Sequence, residues 1–299
     1  MNEKNGKSAR NIVPLILWLL IPIGVSVAVG IAVTMLAYPG QAEPTFTYFM
    51  THPWPGLLFA AVAEAALAIV IYRIRSRRVF EHFDENPERG HEARELLLGI
   101  AIGGGAIALA VLALASIGVY RPTGLGSVKG VLIGLAAGLG AGVAEELLFR
   151  GVVLRLFYTK WGVFRAILFT SLIFGAVHFG NDASVAEVIG VFVAAGLLLN
   201  GVWFLTKRVW VCIGTHFAWN FFLGGIFGMA VSGIPMTDGG LLRCRMTGSD
   251  LMTGGVNGPE ASLPFVTAVA LVGATVLFIA LKREKQQGRS AVTPVEPLG

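Results

Sequence analysis

The sequence has few charged residues and almost no cysteine. Only 14% of its 299 residues are charged, whereas 55% are hydrophobic and the mean hydropathy is +0.73. A soluble domain of this length needs far more charge to cover its surface, so the composition argues against a soluble globular protein. Cys212 and Cys244 are too few for a disulfide framework and match no metal-binding spacing.

The basic excess does not predict a nucleic-acid partner. The formal net charge is +5, but the Lys and Arg residues stand in short clusters at the ends of apolar runs. No basic stripe alternates with aromatic residues, as a nucleic-acid groove would require. Clusters of this kind are typical of a chain whose partners are membrane lipids, because positive charge collects in cytoplasmic loops.

The apolar runs predict an all-α fold, a polytopic transmembrane helix bundle of about eight spans. A spanning helix needs about 20 mainly apolar residues. The predicted spans are 12–38, 56–72, 96–119, 130–158, 163–180, 185–206, 209–229 and 264–281. With the N-terminus inside, 18 of the 23 basic residues fall in inner segments, which places both termini in the cytoplasm.

The same layout predicts three parts of the chain. Residues 1–95 hold a cytoplasmic tail, two spans and a basic cytoplasmic loop whose charge run indicates a solvated segment facing lipid headgroups. Residues 96–229 form the membrane core. Residues 230–299 hold an outer loop, the last span and a disordered cytoplasmic tail. The outer loop, rich in Gly, Met and Thr, is interpreted as flexible rather than as a lid.

A cluster of ionisable residues lies within the predicted spans, where such groups are costly and tend to be paired or functional. The fourth span contains Glu145, Glu146 and Arg150. Glu146 and Arg150 are one helical turn apart and can pair. Glu145 is turned by about 100° from Glu146 and is left as the free carboxylate. The simpler alternative is a helix end that reaches the headgroups, with all three side chains wet.

Two membrane histidines complete the cluster, while the other three histidines fall in loops. His178 lies in the fifth span and His216 in the seventh. The helical rise puts them about 22 Å and 11 Å from the inner face, so a common depth requires helix tilt or shifted boundaries. Asn220 follows His216 by four residues and shares its helical face.

These side chains predict peptide hydrolysis. A desolvated carboxylate can take a proton from water, a histidine can orient that water or protonate the leaving amine, and an asparagine amide can stabilise the oxyanion. Glu145, His178 and His216 could alternatively bind zinc, but no HExxH motif is present. No other cofactor is predicted.

The three motifs resemble the CAAX-processing and bacteriocin-processing (CPBP) intramembrane proteases, relatives of the Ras-converting CAAX endopeptidase. The chain contains Glu-Glu-x-x-x-Arg, Phe-x-x-x-His and His-x-x-x-Asn in order from Glu145 to Asn220. The resemblance implies that Glu145, His178 and His216 are catalytic, that Asn220 forms an oxyanion site, and that Glu146 and Arg150 support them. Members are described as metalloproteases, and a metal-free mechanism is also proposed for them, so the resemblance leaves zinc open.

The sequence therefore predicts an intramembrane endopeptidase. CAAX-type C-terminal processing and peptide or bacteriocin maturation are both compatible, with a peptide or lipidated-protein substrate, in a bacterial plasma membrane. The alternatives are a proton-coupled transporter, which would be expected to show inverted repeats, and a non-catalytic scaffold.

Three further polar residues lie in the apolar segments. Glu64, in the middle of the second span, is expected to have a structural partner. Asn200 and Glu187, near the ends of the sixth span, are expected to be interfacial. Glycines at intervals of four in the fourth span, 130 to 142, indicate close helix packing.

Overall fold

The computed structural model of the chain describes residues 3–37, 56–79, 91–181 and 184–286. In chain order its α-helices are α1 (Glu3–Ala37), α2 (Gly56–Val79), α3 (Glu92–Ser116), α4 (Val128–Leu148), α5 (Leu154–Val177), α6 (Val185–Gly190), α7 (Gly196–Thr206), α8 (Val209–Asn220), the one-turn α9 (Asp250–Thr253) and α10 (Leu263–Gln286). Strands β1 (Tyr120–Leu125) and β2 (Leu242–Met246) form an antiparallel ribbon.

Within the described part of the chain, three π-helical segments adjoin the α-helices. They are Phe149–Val153 between α4 and α5, Val191–Ala195 between α6 and α7, and Phe221–Ile226 directly after α8. Short 3-10 turns follow α5 (His178–Asn181) and precede α10 (Gly255–Asn257 and Pro259–Ala261). Single π-helical turns are often found beside functional residues because they shift the helical register locally.

The described residues contain seven helical stretches that are long and apolar enough to cross a membrane. One of them, Val128–Val177, has 50 residues, which at 1.5 Å per residue is about 75 Å, twice the hydrocarbon thickness. Gly162 divides it, because its backbone there is non-helical, with φ 76° and ψ −179°. With this division the stretches correspond to the eight predicted spans, and the predicted helical bundle is confirmed.

Glycines let α8 approach α3 at backbone contact. A Cβ atom on Gly99 would lie 2.2 Å from the Val211 carbonyl oxygen, and one on Gly103 would lie 2.2 Å from the Thr215 carbonyl oxygen. Both distances are far below van der Waals contact, so only glycine fits there. Thr215 precedes His216, and this contact therefore fixes where that histidine stands.

The glycine stripe of α4 packs against the opposite side of α8 and its extension. Gly138 and Gly142 lie on Phe217, and Gly134 lies against the backbone of Gly225. The close packing predicted from the four-residue spacing is thus confirmed, with α8 held between α3 and α4. Lipid provides no hydrophobic drive between helices, so this contact depends on van der Waals packing of small residues.

The outer segment after α8 is folded, and the expectation of a flexible loop is wrong. Its strand β2 pairs with β1 from Tyr120 opposite Met246 to Leu125 opposite Leu242. The Tyr120 hydroxyl donates to the Phe227 carbonyl oxygen at 3.1 Å, and burial raises the pKa of Tyr120 to about 12, which keeps this donor protonated. Backbone pairing and buried side chains order a stretch whose composition alone suggested flexibility.

The two segments predicted to be cytoplasmic are described only in part. Residues 80–90 of the predicted basic loop and the tail from 287 onward lie outside the described residues. At the described edges, Arg73 pairs with Glu92 at 3.6 Å, and Arg208 pairs with Glu95 at 2.6 Å. These ion pairs connect the inner ends of α2, α3 and α8.

The contact between α3 and α8 gives a direct stability test with a control on the same helix. Gly103→Ala drives a methyl group into the Thr215 carbonyl, so we expect a loss of about 1 to 3 kcal/mol, as for other overpacked sites. Gly105→Ala meets no atom within 4 Å and should be neutral or stabilising by up to about 1 kcal/mol. Thermal unfolding of both variants in detergent measures this, and equal stability of the two would contradict the packing described.

Candidate functional site

The Glu146 carboxylate is the centre of a buried hydrogen-bonded group. Its Oε1 accepts from the Arg150 guanidinium at 2.7 Å and from His216 Nδ1 at 2.9 Å. Glu146 and Arg150 are completely buried and His216 is nearly so. The predicted pairing of Glu146 with Arg150 is present, and the wet helix-end alternative is wrong because the helix continues through Phe149–Val153 into α5. The contact with His216 adds a second role that the sequence did not indicate.

Asn200 fixes the other side of the Arg150 guanidinium. The Arg150 Nε donates to Asn200 Oδ1 at 3.2 Å, and Asn200 Nδ2 donates to Ser171 Oγ at 3.0 Å. Asn200 is fully buried, so the expectation that it is interfacial is wrong. Helix α7 lies inside the bundle, where a polar amide needs partners.

Phe174 lies between the two imidazoles. Its ring centroid is 5.3 Å from that of His178 and 5.8 Å from that of His216, and the Arg150 guanidinium carbon lies 4.6 Å from the same centroid. The histidines, for which the helical rise indicated different depths, therefore flank one aromatic ring. Phe174 is the element of the second motif that organises the site, beyond ordinary core packing.

Hydrogen bonds fix the orientation of both imidazoles. His178 Nδ1 lies 2.8 Å from the Phe174 carbonyl oxygen, and His216 Nδ1 bonds the Glu146 carboxylate. Both partners can only accept, so each Nδ1 carries the proton. In the neutral imidazole the lone pair is then on Nε2, where it can accept a proton or orient water.

Glu145 is half-buried, and its Oε2 has no hydrogen-bond partner. It interacts electrostatically with His216 and with Glu64 of α2. Glu64 is hydrogen-bonded to Ser26 of α1, which is the structural partner expected for it. Each of the adjacent glutamates has an Oε2 without a partner, but Glu146 is held through its Oε1 by two donors.

Asn220 ends α8 one turn after His216 and is almost fully buried. The π-helical segment Phe221–Ile226 begins at the next residue, just as Phe149–Val153 contains Arg150. Two of the three motifs therefore lie in or directly before a π-helical segment, where the helical register shifts locally.

The residues do not fit a metal site. Within residues 3–37, 56–79, 91–181 and 184–286, no group of three His, Cys, Asp or Glu side chains could share one metal ion. The zinc set proposed from sequence, Glu145, His178 and His216, is therefore not assembled around a common point.

An apolar cavity of about 510 Å³ lies beside the network, bounded by α5, α7, α10 and the π-helical segment between α6 and α7. Ser171, which binds Asn200, is its polar member. The other lining residues are Val163, Phe164, Ile167, Leu168, Phe192, Val193, Leu197, Leu277 and Leu281. The cavity and the Glu146 group are connected through two buried hydrogen bonds.

Comparison with known proteins finds a similarity over the segment that carries these residues. Residues 127–222 match the family model described as Rce1-like, Type II CAAX prenyl endopeptidase. The match covers about a third of the chain, and over this segment the chain is similar to the CPBP family. The match spans α4 to α8 and so contains all three motifs. No solved structure matches the chain.

A curated relative matches part of the chain. The chain is 33% identical over 81 residues to a Bacillus subtilis (strain 168) protein named "Putative membrane peptidase YdiL". The alignment covers 27% of this chain and 31% of that relative, so it spans less than a third of the relative's length. The apolar helices, together with this similarity, identify an integral multi-pass membrane protein.

Sequence reasoning missed Asn200 and Ser171 as members of the site. The available signal was that both are polar residues inside long apolar runs, the same signal that drew attention to the glutamates and histidines. Neither belongs to the three motifs, and only the packing of α7 against α5 and the π-helical segment before it brings them to Arg150.

The Asn200 contact predicts a graded pair of effects. Asn200→Leu leaves the Arg150 Nε buried without a partner and should destabilise the protein by about 1 to 3 kcal/mol. Ser171→Ala removes only the outer hydrogen bond and should cost less, about 1 kcal/mol. Thermal unfolding compares the two variants, and an Asn200→Leu protein as stable as the unaltered chain would contradict the network.

Proposed function

We propose that the protein is an intramembrane endopeptidase, a hydrolase that cleaves a peptide bond with a water molecule activated by Glu145 and His178. The observation that carries the proposal is the Glu146 carboxylate shared by Arg150 and His216, beside a second carboxylate with a free oxygen. The similarity of residues 127–222 to the CPBP family, and a relative named as a putative membrane peptidase, support the same class of reaction.

In the proposed reaction Glu145 takes a proton from water, and the resulting hydroxide attacks the scissile carbonyl carbon. The Asn220 amide donates a hydrogen bond to the oxyanion, and the Nε2 side of His178 orients the water. The proton on Glu145 then passes to the leaving nitrogen as the C–N bond breaks. The products are a new carboxyl terminus and a free amine.

The Glu146, Arg150 and His216 group has a positioning role in this scheme. The Glu146 carboxylate holds the His216 Nδ1 proton and so keeps the lone pair on Nε2, much as carboxylates orient histidines in other hydrolases. Arg150 neutralises that carboxylate, which would otherwise be a buried uncompensated charge. The imidazole is therefore fixed in position and tautomer before a substrate enters.

The apolar cavity beside Ser171 suits a hydrophobic part of a substrate. A peptide or lipidated protein reaching the site from the bilayer could place an apolar chain there while its peptide bond meets Glu145. CAAX-type C-terminal processing and peptide or bacteriocin maturation both involve such substrates, and a bacterial plasma membrane is the expected location.

The two neighbouring glutamates should respond differently to the same substitution. Glu145→Gln removes the base but breaks no buried pair, so we expect unchanged thermal stability and a loss of about 10²- to 10⁴-fold in kcat. Glu146→Gln leaves Arg150 without its charged partner and should lower stability by about 3 to 5 kcal/mol as well as activity. Cleavage of a panel of lipidated and unlipidated peptides, with thermal unfolding of the same preparations, separates these outcomes.

Glu64→Gln is the matched control for the first substitution, since it removes a membrane carboxylate near Glu145 without touching the proposed base. It should retain most activity. Full activity of Glu145→Gln would overturn the mechanism, and inactivity of all variants and of the unaltered chain on every peptide would overturn the proposed function.

Metal removal is expected to leave the reaction unchanged. The described residues bring no three metal-binding side chains together, and the scheme uses only protein groups and water. Activity after prolonged dialysis against a chelator is the measurement. Loss of activity that returns with added zinc, but not with magnesium, would contradict the metal-free scheme.

A further inference from the structure

The last turn of α8 is bound by a second buried carboxylate, which belongs to the segment that covers the predicted outer side of the bundle. This covering segment comprises residues 227–262, between the π-helical segment after α8 and the start of α10. Its Glu260 is almost fully buried. The Glu260 Oε1 accepts from the Trp219 indole N–H at 2.8 Å, and its Oε2 accepts from the Ser232 backbone N–H. Both oxygens are thus engaged, one with α8 and one within the covering segment.

The covering segment packs closely on α6 at the same place. A Cβ atom on Gly190 would lie 2.0 Å from the Glu260 carbonyl oxygen, so only glycine allows this approach. A Cβ atom on Gly233 would lie 3.9 Å from Glu187 Oε2, at ordinary van der Waals contact. Glu187 is completely buried, and the expectation that it is interfacial is wrong because the covering segment lies over it. Glu260 is therefore fixed to α6 through its backbone and to α8 through its side chain.

The turn that donates to Glu260 has an unusual backbone. Ser232 has φ 47° and Gly233 has φ 76°, while Val231 and Ile234 exchange two backbone hydrogen bonds. A left-handed backbone is costly for a serine and persists only where the surrounding contacts fix it. The hydrogen bond from Ser232 to Glu260 is such a contact, so the position of this carboxylate is specified from both of its oxygens.

Two ring N–H groups in the last turn of α8 therefore bind carboxylates of different segments. His216 binds Glu146 of α4, and Trp219, three residues later, binds Glu260 of the covering segment. At about 100° per residue, the two side chains leave the helix about 60° apart. Two hydrogen bonds in different directions restrict the rotation of this turn about the helix axis more than either bond alone.

Asn220 depends on this turn for its position. Among the residues that the structure describes, none forms a hydrogen bond with the Asn220 side-chain amide. Its backbone lies at the junction between α8 and the π-helical segment Phe221–Ile226, where the helical register changes. A small rotation at this junction would move the amide away from the oxyanion, and a misplacement of about 1 Å can cost about 10²-fold in rate.

We propose that Trp219 and Glu260 are positioning residues, whose hydrogen bond fixes the last turn of α8 so that the Asn220 amide meets the oxyanion. The inference rests on the proposed function, because it takes Asn220 as the oxyanion donor. It gives the covering segment a part in the reaction, although Glu260 lies outside the three motifs and outside residues 127–222 that match the family model. A bond that only attaches the covering segment would affect stability and leave the reaction rate unchanged.

Trp219→Phe removes the indole N–H and keeps an aromatic ring against Phe265. For peptide cleavage kcat should fall about 10- to 100-fold with KM unchanged, because the oxyanion forms after the substrate has bound. Trp203→Phe is the matched control, since Trp203 is also buried and its indole N–H has no hydrogen-bond partner. This variant makes the same change of ring and should keep its kcat. An equal loss of kcat in the two variants would overturn the proposal.

Combining the substitution with Asn220→Ala shows whether Trp219 acts through Asn220. In the Asn220→Ala background, Trp219→Phe should lower kcat no further, because the amide that it positions is already absent. Thermal unfolding of the same preparations records the change in stability separately. A loss of kcat that multiplies fully in the double variant would overturn the proposal, and so would a Trp219→Phe protein with a lower Tm and unchanged kcat.

Glu260→Gln tests the same hydrogen bond without changing the size of a ring. The amide of a glutamine offers one oxygen acceptor, and its nitrogen is a donor, so it cannot accept from both Trp219 and Ser232. We expect a lower kcat, and again no further loss in the Asn220→Ala background. An unaltered chain without activity on any peptide would overturn the proposed function and this inference with it. An active chain in which these losses multiply fully would overturn the inference alone.

Discussion

The site depends on one buried carboxylate that accepts hydrogen bonds from an arginine and from a histidine. Glu146 accepts from Arg150 and from His216 while fully buried. A buried charge is tolerated only when its partners are close and well oriented, and removal of one partner costs far more than the pair contributes. The arrangement of α4, α5, α7 and α8 is therefore constrained at this point, because each contributes a group to the same hydrogen-bonded chain.

Glycine makes that constraint possible. His216 can reach Glu146 because α8 lies at backbone contact with α3 through Gly99 and Gly103, and against α4 through Gly138 and Gly142. Larger residues would separate the helices by more than a hydrogen bond can span. In a bilayer, where apolar side chains gain nothing by leaving lipid, this close approach also provides the van der Waals contact that holds the helices together.

Buried carboxylates in this bundle have different surroundings. Glu146 is neutralised by Arg150, one helical turn away, and orients His216. Glu260 accepts from the Trp219 indole and from the Ser232 backbone N–H, so it joins the segment after α8 to the end of α8. The same residue type therefore positions an imidazole at one place and the covering segment at the other.

The sequence by itself determined the helical bundle, the number of spans and the motif residues, because long apolar runs and rare membrane charges are strong local signals. It also determined the pairing of Glu146 with Arg150, which needs only helical periodicity. Only the tertiary structure decided that Asn200 and Ser171 complete the network, that Phe174 separates the histidines, and that Glu187 is buried. These contacts join residues far apart in the chain, and local periodicity carries no information about which helices become neighbours or which outer segment covers them.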